Sequence, residues 1–127
     1  MEINGVNPSS APEPSGGYVN ALEVVGASRL LFVSGQIPED RDGWVPADIE
    51  QQCRLVWANV TAALHAAGLT VQNLVKVTTF LSDRQFAEVN TAVRREVLGD
   101  HQPALTVIIT GIFDPAWLVE IEAVAAA

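Results

Sequence analysis

Two β-rich runs, Tyr18 to Val25 and Arg29 to Ser34, flank Gly26-Ala27-Ser28, a spacing that predicts a hairpin. The period then changes. Cys53, Val56, Trp57, Val60, Leu64 and Ala67 recur at helical spacing. Asp48 with Gln51 three residues on makes a capping-box start, and Gly68 is placed to cap the end. Leu74 to Leu81 is a β-branched strand, and Ser82-Asp83 opens a second helix with the apolar face Phe86, Val89, Val93 and Val97, closed by Gly99. Two last strands are expected at Ala104 to Thr110 and Trp117 to Ala125, joined near Asp114-Pro115. Residues 1–17, rich in Pro, Ser and Gly, lack any period and read as an irregular arm; residues 35–47 read as a loop.

The predicted order is ββαβαββ, a single α+β domain over residues 18–127. Leu74 to Ala104 has the look of a β-α-β crossover between parallel strands, and hairpins are expected to add antiparallel neighbours. A mixed sheet with both helices on one face follows. With no helix left for the other face, subunit association is the economical cover.

Composition sharpens that expectation. Of the 127 residues 49% are hydrophobic, more than one small core uses, yet no apolar run nears the roughly 20 residues of a membrane span. The first residues lack a signal-peptide pattern, so a cytoplasmic protein with no membrane association is expected. A formal net charge of -8 with only seven Lys and Arg opposes nucleic-acid binding. One cysteine excludes an internal disulfide, and two histidines far apart suggest no metal cluster. No phosphate loop or dinucleotide fingerprint is present, so no cofactor is expected.

Candidate chemistry is sparse. Period-two alternation puts Glu120 and Glu122 on one strand face, opposite Val119, Ile121 and Ala123. Glu122 reads equally well as part of a solvated edge. Glu120 is the stronger candidate, because a carboxylate at an apolar junction is costly unless it is paired or used for acid–base work. Asn90 falls on the second helix's apolar stripe, either satisfied by neighbouring backbone or orienting a ligand. Ser34, at a strand end, is a turn former or a cleft hydroxyl; Tyr18 packs or lines a site. Each basic residue reads first as a solvated charge, with Arg94 or His101 the ones that could approach a cleft from the second helix.

Ser34-Gly35-Gln36-Ile37-Pro38 and Val119-Glu120-Ile121-Glu122-Ala123 resemble the signatures of the Rid family (RidA/YjgF). Tyr18, Asn59, Ala67-Gly68, Lys76, Phe80, Phe86, Asn90 and Pro103-Ala104 follow in that family's order, so the resemblance spans about Tyr18 to Ala125. It implies the chorismate-mutase-like YjgF fold, homotrimers with clefts between subunits, and hydrolysis of small enamines and imines. By resemblance Tyr18, Ser34, Asn90 and Glu120 line the cleft, Glu120 holding the hydrolytic water.

The family's arginine after Pro-Ala is implied to grip the substrate carboxylate, and here that position is Leu105. Leucine cannot form a bidentate carboxylate bond. The expectation is therefore an imine or enamine hydrolase or tautomerase outside the usual 2-imino acids, with Glu120 as proton relay and Leu105 among the substrate-binding residues. Three alternatives stand beside it: a non-catalytic small-ligand-binding protein, a pathway-specific deaminase of the aminomuconate kind, and, weakest on charge, an endoribonuclease.

Overall fold

The computed structural model describes residues 1–127, and its elements follow from the periods above with one addition. The strands are β1 (Glu2–Val6), β2 (Ala21–Val25), β3 (Leu30–Gln36), β4 (Leu74–Leu81), β5 (Ala104–Ile109) and β6 (Val119–Ala126). The helices are α1 (Ile49–Ala66) and α2 (Ala87–Leu98).

The helix ends are set by local chemistry. The Asp48 carboxylate accepts from Gln51 N at 3.1 Å, as the cap predicts. At the other end Gly68 takes a φ of +75° while Gly68 N and Leu69 N donate to His65 O and Leu64 O. That is a Schellman closure, and it needs a residue at ease with positive φ. Asp83 starts the turn leading into α2, accepting from Gln85 N, and Gly99 leaves it with φ +58°.

Four strands form one mixed sheet in the order β3-β6-β4-β5. β4 and β5 are parallel around α2, as the crossover predicts, whereas β6 lies antiparallel between β3 and β4. Alternation then separates two faces. Val119, Ile121, Ala123 and Ala125 of β6, with Val77, Thr79 and Leu81 of β4, are buried on the helical face. Trp57, Val56, Val60 and Leu64 of α1 and Val93 and Leu98 of α2 complete this core. Each fully buried side chain of that size adds about 1.5–3 kcal/mol.

The opposite face carries Leu30, Phe32, Phe80, Val124 and Ile108 with Glu120 and Glu122, and no element of the chain lies on it. Phe32 is 72% exposed. The sheet is thus one-sided, as expected for a fold with two helices.

Three expectations are corrected. Residues 1–17 are not irregular throughout, because Glu2–Val6 is a strand paired antiparallel with β2. The hairpin around Gly26 does not form, since β2 pairs with β1 and β3 pairs with β6. Nor do the last two strands pair with each other; β4 stands between them. Local turn chemistry marks where a strand stops, but partner choice is made by long-range burial, and β6, the strand with the most buried residues, takes the sheet's interior.

Candidate functional site

Tyr18, Asn90 and Leu105 come together around a cavity of about 280 Å³ at the junction of α2, β5 and the arm before β2. Backbone pairing delivers Tyr18: Val19 bridges Ala104 in parallel fashion, its N–H donating to Pro103 O at 3.2 Å. Leu105 pairs with Val77 and so points to the helical side of β5, where it meets α2.

Arg94 lines the same cavity, one helical turn beyond Asn90. Reading each basic residue as a solvated charge fails here: Arg94 is 4% exposed. The expected apolar face of Phe86, Val89, Val93 and Val97 explains the miss, for the buried stripe of α2 is Asn90, Val93, Arg94 and Leu98. Gly16 and Gly17, at φ +121° and +79°, pass close over the Arg94-Arg95 pair, where a Cβ on Gly16 would collide with the Arg95 guanidinium. The arm therefore lies across Arg94 and against the exposed Arg95, an approach its own glycines allow.

Two buried polar atoms around the cavity are unpaired. Asn90 is 1% exposed and its Oδ1 has no hydrogen-bond partner; Arg94 Nε has none either. The satisfied-amide alternative for Asn90 is thereby removed on its acceptor side. Burial, helped by repulsion from Arg95 and opposed by Tyr18, pushes the Arg94 pKa down, yet a guanidinium stays charged. The Tyr18 hydroxyl accepts from Ser15 N at 3.4 Å. Hydrogen bonding from Ser15, with a weaker pull from Arg94, lowers the Tyr18 phenol below its ordinary range.

Ser34 and Glu120 are not at this cavity. β3 pairs with β6 through Val33 and Gln36 with a register shift between them, so Ser34-Gly35 forms a bulge. A Cβ on Gly35 would overlap the Glu120 carboxylate, so only glycine admits the acid so close to the β3 backbone. Glu120 pairs with Phe80 and points to the uncovered face; Leu105, paired with Val77, points to the other. One sheet separates them. Ser34 instead borders a hollow of about 260 Å³ on the uncovered face with Phe32, Thr78, Glu122 and Lys76. Lys76 Nζ is held there by Thr106 Oγ1 at 2.8 Å.

The remaining candidates fall away on geometry. His101 Nε2 is engaged by Leu74 O at 2.6 Å. Cys53 is wholly buried, and burial pushes its thiol up to about 12, which removes it as a nucleophile. No three His, Cys, Asp or Glu side chains are grouped to hold a metal ion. One contributor escaped the sequence reading altogether. Gln52, 1% exposed on α1, donates to Pro46 O and Ala116 O and accepts from Leu118 N, tying the two loops beside the sheet to the helix. An amide among Cys53, Val56 and Trp57 at helical spacing is the signal that was there.

Comparison with known proteins places this geometry. The family model described as Endoribonuclease L-PSP matches residues 8–127. A RutC family protein of Pyrococcus horikoshii is 39% identical, over 91% of this chain and 91% of its own. TdcF of Escherichia coli, named as a reactive intermediate deaminase, is 38% identical over 72% of this chain and 70% of its own. Among solved structures, a Rid-family protein of unknown function from Yersinia pestis superposes with a TM-score of 0.86 at 25% identity, covering all of both chains. E. coli TdcF, solved with bound serine, gives 0.74 at 30% identity over 98% of each chain. With its one-sided mixed sheet and a family match running from the arm to the last strand, this chain belongs to the Endoribonuclease L-PSP family, that of the YjgF and Rid proteins.

Proposed function

We propose that the chain is a homotrimeric hydrolase of small imines or enamines whose site is completed between protomers, with Glu120 as the proton relay. The observation that carries this reading is the placement of Glu120. Its carboxylate makes no ion pair or hydrogen bond, lies against Gly35, and stands on the sheet face away from both helices, among Phe32, Phe80 and Ile108 as well as Glu122, Lys76 and Thr78. A neighbouring protomer on that face would exclude water from around the acid and bring its own Tyr18–Asn90–Leu105 cavity to the edge. Ser34, beside Glu120, then belongs to one half of the site and Tyr18, Asn90 and Leu105 to the other.

The reaction needs one proton carrier, used twice, and one water. Glu120 accepts a proton from water as its oxygen adds to the C=N carbon, giving a carbinolamine. It returns that proton to the nitrogen, then carries the carbinolamine's hydroxyl proton to the same nitrogen as the C–N bond breaks, releasing ammonia and leaving a C=O product. Neutral and cationic donors at the other half-site hold the substrate and stabilise charge as it develops. The serine bound by TdcF supports a ligand of amino-acid size. No helix is long and apolar enough to cross a membrane.

An ammonia-release assay over neutral and carboxylated imines tests the proposal. Turnover that falls at least a hundredfold in Glu120→Gln supports it. Undiminished turnover in that variant removes Glu120 from the reaction, and ligand-induced stabilisation without turnover of any imine makes the chain a binding protein instead. The endoribonuclease reading has little to hold RNA with: six of the seven basic residues are scattered on the surface, and the seventh is the buried Arg94.

A further inference from the structure

Among the seven basic residues Arg94 alone is buried, and it has no acidic partner. The groups that bear on it are a second arginine and a tyrosine, neither of which neutralises it. A guanidinium withdrawn from water in this way is unfavourable unless something negative occupies the space it faces. The space exists: the cavity beside Arg94 is bordered by Asn90, Tyr18, Leu105 and Val107, half polar and half apolar.

We propose that Arg94 is the anion anchor of this cavity, binding the carboxylate of a small organic acid through its guanidinium. Leu105 and Val107 pack on the acid's hydrocarbon. The Tyr18 hydroxyl, which accepts from Ser15 N, keeps its own proton to donate to the same carboxylate. Asn90 Oδ1, an unpaired acceptor one turn away, takes an N–H or O–H next to the carboxylate. Donors and acceptor together select a molecule with a carboxylate and an adjacent hydrogen-bond donor.

Leu105 removes an arginine from the strand without removing positive charge from the cavity, because Arg94 supplies it from the helix. The subsite therefore returns carboxylated substrates to the proposed reaction, whose remaining steps rest on the reading above. One planar fork, with no lysine beside it and a net charge of -8 overall, suits a monocarboxylate better than a phosphate.

The test is calorimetric titration of the full chain with lactate, with propane-1,2-diol, which lacks the carboxylate, and with inorganic phosphate. Lactate should bind at least tenfold more tightly than either. Arg94→Met should weaken lactate at least tenfold, with Arg94→Lys in between. Equal lactate affinity in Arg94→Met, equal binding of the diol, or tighter binding of phosphate overturns the assignment. Should Arg94→Met fail to fold, the Arg94 Nε–H resonance of the wild-type chain decides, since it must shift as lactate saturates and an unmoved resonance overturns the proposal. The two readings fail separately. Arg94-dependent lactate binding without imine turnover removes the reaction and keeps the anchor; imine turnover with lactate affinity unchanged in Arg94→Met does the reverse.

Discussion

Arg94 and Leu105 occupy one cavity, so their substitutions should be coupled. Arginine at 105 would set a second guanidinium against the first, and Leu105→Arg is expected to cost about 1–3 kcal/mol in chemical denaturation. Arg94→Leu combined with Leu105→Arg should recover most of that loss and restore lactate binding. Additive effects would show that the two side chains do not share the space. Arg94→Met alone, in the absence of ligand, should raise the melting temperature by a few degrees, because it relieves an unpaired buried charge. A fall of several degrees would make Arg94 a structural residue. The resemblance put Tyr18, Ser34, Asn90 and Glu120 in one cleft with Leu105; that Tyr18, Asn90 and Leu105 share a cavity without Ser34 and Glu120 could not be read from the sequence, nor could Arg94 be chosen over His101. Hydropathy sorts an arginine to the surface, and only the rotation of α2, set by how Val93 and Leu98 pack, turns it inward.

At the scale of elements, α1 acts as the post to which the loops beside the sheet are tied. Gln52 holds Pro46, Ala116 and Leu118, while Asn59 donates to Ile37 O at 2.9 Å and Glu39 O at 3.1 Å. Gln52→Leu leaves two carbonyls and one N–H unsatisfied and should cost about 2–4 kcal/mol in chemical denaturation. Amide exchange at Leu118 should accelerate in the same variant. Unchanged exchange would show that the loops hold themselves. Helix limits, caps and the β4–α2–β5 crossover were legible because their causes are local: Asp48, Gly68, Asp83, Gly99 and the 3.6-residue period. Strand partnership was not. The β1–β2 pair and the central seat of β6 are fixed by which strands can bury both neighbours, information spread over nearly the whole chain. Glu2–Val6, with Asn4 and Gly5 in its middle, carries no alternation that would mark it as a strand.

For the whole molecule, the uncovered face is where the proposed trimer would be joined. Leu30, Phe32 and Ile108 on that face present more exposed apolar surface than a monomer of this size ordinarily keeps. Sedimentation should show a trimer for the wild-type chain, and Phe32→Glu should shift it toward monomer while leaving the far-ultraviolet circular dichroism unchanged. A wild-type monomer at micromolar concentration would end the shared-site reading. The placement of Glu120 and of the Arg94 cavity on opposite faces of one sheet has a genetic consequence. Protomers carrying Glu120→Gln and protomers carrying Arg94→Met would each be inactive alone, yet each retains the half that the other has lost. Refolded together in equal amounts they should recover activity at about a quarter of the sites, the fraction in which two intact halves meet across a head-to-tail ring. Two recessive lesions in this one gene would then complement each other, as lesions in two different genes do.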